Sequence, residues 1–148
     1  MTDFDTFNAK WELHRKHAQA VNDKNKETLF AALAATAITS ITVEFDGEGD
    51  SGQINGVCAR TGEQEVPLPA TKITIQQLHW GQDSAKPAEL SLEAAIEALC
   101  YDFLEQEHGG WENNDGAYGE FQISVAERTI ELEFYARYTD TQKYSHSF

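Results

Sequence analysis

Two stretches of this chain alternate apolar and polar residues step by step. Ile41, Val43 and Phe45 alternate with Thr42, Glu44 and Asp46. Phe121, Ile123 and Val125 follow the same rule. Beyond a turn at Ala126 to Arg128, so do Ile130, Leu132, Phe134 and Ala136, with Glu131, Glu133, Tyr135 and Arg137 on the opposite parity. A period of two describes pleated strands with one dry face and one wet face. Such strands build an antiparallel sheet, and its dry face needs an apolar cover.

Helices are the expected cover. Phe4, Phe7, Trp11, Ala18 and Val21 recur at spacings of three, four and seven, with His14 on the same stripe. That spacing predicts a helix over Phe4 to Val21. Polar Asn22 to Asn25 interrupts the pattern. A second helix is expected over Lys26 to Ala37, capped by Asn25 and burying Leu29, Phe30, Leu33 and Ala37. Ser91 to Glu107 reads as the third. Ser91 is a good N-cap, Glu93 suits the first turn, and Leu92, Ala95, Ile96, Leu99, Phe103 and Leu104 form the apolar stripe. Gly109-Gly110 is the expected stop.

Between these lie two more expected strands. Gln53 to Arg60 places Ile54 and Cys58 on one side, with Gly56 suggesting a bulge or a close approach. Thr71 to Leu78 points Ile73 and Ile75 inward. Gly62 to Thr71 and Trp80 to Ala88 read as loops. The expected fold is α+β. It has two N-terminal helices and a mainly antiparallel sheet of about five strands, in the order ααβββαββ, with the helices packed on one face. At 148 residues the chain has the length of one domain, residues 1–22 forming a peripheral helix on it.

Charge narrows the function classes. Lys and Arg number 11 against 25 Asp and Glu, a net charge of −14. Direct binding to nucleic acid or an anionic membrane needs clustered bases, so neither is expected. No apolar run approaches the ~20 residues of a membrane span, and the acidic start lacks the order of a signal peptide. A cytoplasmic protein is expected. Met1 to Thr28 is neutral, whereas Pro87 to Glu127 holds ten acids and no Lys or Arg. Such a field attracts cations or basic protein surfaces, and it also serves plain solubility. Cys58 and Cys100 lack CxxC spacing and read as reduced, partly buried thiols.

Two polar loops are the candidate sites. Asp46, Glu48 and Asp50 alternate with glycines as in the opening of an EF-hand loop, but Ser51 and Val57 stand where that loop needs its Gly and closing Glu. A flexible acidic hairpin and a cation site both remain open. The second loop gathers Trp111, Glu112, Asn113, Asn114, Asp115, Tyr118 and Glu120. Its carboxylates and amides suit a hard cation or a polar ligand, its aromatics suit a protein partner, and turn-forming accounts for some of it. No GxSxG, HExxH, Walker A or GxGxxG pattern occurs.

The runs HGGWENNDGAYGEF, VAERTIELE and FDGEGDSGQI, with YSHSF at the C-terminus, resemble a family of small uncharacterised bacterial proteins associated with plasmids and other mobile elements. The resemblance spans about Thr28 to Phe148. It implies no catalytic residue. Carriage on mobile elements would be compatible with interference in host defence.

The expected function is that of a non-enzymatic acidic module that binds a protein partner with a basic surface, competing for a nucleic-acid-binding groove. Glu93, Glu97 and Glu105 on the third helix, with Trp111, Glu112, Asn113, Asn114, Asp115 and Tyr118, would form the contact. No cofactor is expected. The alternative is a divalent-cation-dependent hydrolase or metal-binding protein, with Asp46, Glu48, Asp50, Glu112 and Asp115 converging on calcium or magnesium. The sequence leaves the oligomeric state open.

Overall fold

A computed structural model describes residues 3–48, 51–78, 85–108, 116–137 and 143–148. The chain runs α1 (Asp3–Ala34), β1 (Ser40–Glu48), β2 (Ser51–Thr61), β3 (Gln64–Val66), β4 (Lys72–Gln77), β5 (Lys86–Ser91), α2 (Leu92–His108), β6 (Ala117–Ser124) and β7 (Thr129–Ala136). The α+β class and a five-stranded antiparallel sheet form as the alternation predicts. The order ααβββαββ does not. The two expected N-terminal helices are one continuous helix, and the second helix, α2, lies in mid-chain after five strands.

The polarity of Asn22 to Asn25 predicts a helix break, but α1 runs through it. In the structure Asn22 and Asn25 are buried within α1. Asn25 donates from Nδ2 to the Gln76 carbonyl at 2.7 Å and accepts the Gln76 N–H on Oδ1 at 2.7 Å. Asn22 Nδ2 donates to Gln106 Oε1 of α2 at 2.9 Å. These amides satisfy groups that the α1 contacts would otherwise leave unpaired. Ser91 caps α2 as expected, its Oγ accepting the Ala94 N–H at 3.2 Å. The expected Gly109-Gly110 stop lies outside the described residues.

The main sheet has the order β3-β2-β1-β6-β7, and β4 pairs with β5 in a separate two-stranded sheet. Strand β3 and the first half of β5 fall in segments that read as loops. Their sequences, QEV and KPAELS, are short or polar, so no alternation marks them. Ile73 and Ile75 do point inward, but from the smaller sheet.

On the main sheet, Ile41, Val43, Phe45, Phe121 and Ile123 are buried with Leu29, Phe30 and Leu33 of α1 and Ile96, Leu99 and Leu104 of α2. Phe103 packs only at the rim of this core. The dry face also depends on a bulge. Glu44 pairs with Gly56 but Phe45 pairs with Ile54, leaving Asn55 as the extra residue. The bulge reverses parity, so Ile54 lies opposite Phe45 while Val57 lies opposite Val43. Cys58 therefore does not share the side of Ile54. Gly56 shows no close approach, since a Cβ there would meet nothing within 4 Å. Beside the bulge, Tyr101 of α2 accepts the Ile54 N–H on its hydroxyl at 2.8 Å.

Candidate functional site

The wet face of the main sheet is made by the residues that alternate with the core. Glu44 pairs with Glu120, and Glu120 pairs with Glu133. These three carboxylates thus lie side by side across β1, β6 and β7. Strands are ~4.8 Å apart, and like charges placed directly opposite destabilise a sheet. Among the described residues no Lys or Arg comes within ion-pair reach of the three.

The flanking rows differ in chemistry. On one side Thr42 pairs with Gln122 and Gln122 with Glu131, Thr42 Oγ1 donating to Gln122 Oε1 at 3.2 Å. On the other side Asp46 pairs with Tyr118, and Tyr118 with Tyr135. The two tyrosine rings stack, with centroids 5.1 Å apart and planes 16° apart. They remain 43% and 49% exposed, enough to offer aromatic surface to a visitor. Arg137 closes this end. Its Nη1 is 2.8 Å from Asp46 Oδ1 and donates to the carbonyls of Gly47 at 3.0 Å and Ala117 at 3.2 Å. Its guanidinium lies over the Tyr118 ring, 4.7 Å from the centroid.

The residues expected to act together are divided by this geometry. Glu93 and Glu105 are exposed on α2 and Glu97 is half-buried. That helix lies on the dry side of the sheet, where His108 stacks on Phe134 with centroids 3.7 Å apart. Tyr118 projects from the opposite face. Glu105 instead helps line a groove of about 710 Å³ between α1 and α2, with Trp11, Val21, Leu78, Asp102 and Gln106. Trp111, Glu112, Asn113, Asn114 and Asp115 lie outside the described residues.

Of the cation candidates only Asp46 has a described side chain. Asp46 is held by Arg137, while Asp50 and the Glu48 side chain lie outside the described residues. Among the described residues no group of three or more His, Cys, Asp or Glu is arranged to hold a metal ion. Cys100 is buried, and that burial, reinforced by the nearby Glu97 carboxylate, pushes its thiol far above the usual range. It is no nucleophile in the folded chain.

A family model described as a family of unknown function (DUF6878) matches residues 21–148. The chain belongs to this family. The DUF6878 match takes in every strand and α2, and it begins inside α1, one residue before Asn22. The part of α1 that precedes it carries no buried side chain among residues 9–20, and Trp11 and Leu13 are exposed there. Comparison with curated proteins and with solved structures gives no match. Among the described residues no helix is long and apolar enough to cross a membrane.

Tyr118 and Glu120 belong to a loop that the sequence marks as a candidate site, but nothing in the sequence joins them to Glu44, Glu133 and Tyr135. Glu44, Glu133 and Tyr135 have wet-face parity in the sequence, but Tyr118 and Glu120 read as loop residues and fall in β6, and the alignment of all five depends on the pairing of β1 with β6 and β6 with β7.

Proposed function

We propose that this DUF6878 protein is a non-enzymatic acidic module that binds a protein partner through a basic surface. The observation that supports this best is the row Glu44–Glu120–Glu133, set on a solvent-facing sheet with no Lys or Arg in ion-pair reach of the three among the described residues, the nearby Arg60 and Arg137 reaching Thr42 and Asp46 instead. Like-charge rows cost stability, so an external cationic partner is a physical reason for keeping one. A carboxylate array of this kind competes for a surface that otherwise holds nucleic-acid phosphates, by charge and by occlusion. The plasmid and mobile-element resemblance fits an accessory role of this sort, such as inhibition of a host defence protein. The carboxylates of Glu93, Glu97 and Glu105 on α2 are a second candidate for the contact.

The test is a competition experiment with a basic nucleic-acid-binding protein captured from a bacterial lysate. The module should displace DNA from that protein, and its association rate should fall steeply from low to physiological salt. Glu44→Gln/Glu120→Gln/Glu133→Gln should slow association. Association that ignores salt, or a partner that keeps its DNA in the complex, would count against the proposal.

A further inference from the structure

The molecule already displays how it satisfies a guanidinium. Arg137 lies over the Tyr118 ring while its Nη1 meets the Asp46 carboxylate and two backbone carbonyls. One strand further on, the same ingredients recur without an arginine. Tyr135 is half-exposed and stacked on Tyr118, Glu133 lies two residues away on the same face of β7, and Glu120 is the cross-strand partner of Glu133. We infer that the open sheet face takes an arginine side chain of the basic partner, stacked on Tyr135 and paired with Glu133 and Glu120. This rests on the protein-binding reading above and adds the side chain that is read.

The choice of arginine over lysine follows from shape. A planar guanidinium stacks on a ring and offers two parallel N–H groups to carboxylates, whereas an ammonium is a compact, strongly hydrated point charge. The charge of this sheet face is one-sided. Glu44, Asp46, Glu65, Glu120, Glu131 and Glu133 share that parity with Arg60, which pairs across strands with Glu65 and reaches Thr42, and with Arg137 just beyond β7, which is already engaged by Asp46. Charge therefore draws a basic segment to the face, and the tyrosine pair selects which base sits at its end.

The experiment is a calorimetric titration at low ionic strength with two capped peptides of equal charge, one alternating arginine with glycine and the other lysine with glycine. The arginine peptide should bind roughly two- to fivefold more tightly, the range of an exposed cation–π contact. Tyr135→Leu should abolish that preference and Tyr135→Phe should retain it. Circular dichroism checks that the variants fold, which half-exposure of Tyr135 favours. Equal affinities, or a preference that survives Tyr135→Leu, would overturn the arginine inference while leaving the basic-partner reading intact. Failure of both peptides to bind would overturn both.

Discussion

Asn25 does with one side chain what a neighbouring strand does with its backbone. Its amide both donates to and accepts from Gln76, so it fastens α1 to the edge of β4. Asn25→Ala leaves two backbone groups unpaired at a buried site and should cost about 2–4 kcal/mol in urea unfolding. Gly119 is needed for a different reason. It lies opposite Phe45, and a Cβ there would collide with the Glu133 carbonyl and come within 2.9 Å of the Phe45 ring. Gly119→Ala should therefore lower stability by about 1–3 kcal/mol, as overpacking does, visible as a lower melting temperature. Cys100 supplies a pH dependence. The folded state keeps its thiol protonated, whereas the unfolded chain releases that proton near pH ~8.5. The unfolded state then binds fewer protons, so stability is full below that pH and falls above it, by about 1.4 kcal/mol per pH unit for one site. Cys100→Ala should flatten the decline by that amount between pH 9 and 10.

At the scale of elements, α1 is where sequence patterning failed most clearly. At 32 residues it is about 48 Å long, and its core-facing part carries two asparagines. Asp23→Pro tests its continuity. Proline would be tolerated in a linker between two helices, but inside one helix it should cost about 3 kcal/mol or more, measured by chemical unfolding. The parts that were legible share a cause. Ser91 and the stripe from Leu92 to Leu104 specify α2 locally, and the alternations of β1, β6 and β7 specify which side chains face the core. What could not be read depends on distant partners. The Asn55 bulge changes the parity of β2, and β3 and β5 exist through pairing rather than through their own composition. The open face suffered the same fate, since Glu44 and Tyr135 are ordinary wet-face residues and Glu120 reads as a loop residue until the register aligns them.

Over the whole molecule, charge and fold divide the work. The family-matched part from residue 21 onward holds the paired strands, α2 and the acidic face, while the part of α1 before it is mixed in charge and buries no side chain among residues 9–20. A net charge of −14 acts at long range on any basic surface, so it governs how fast partners arrive more than where they settle. Where they settle is the central claim, and an amide NMR spectrum of the full chain, titrated with the arginine–glycine peptide, reads it most directly. The account predicts shift changes concentrated on β1, β6 and β7 around Glu44, Glu120, Glu133 and Tyr135. Changes confined to α2 around Glu93, Glu97 and Glu105, or a spectrum that does not respond, would contradict it.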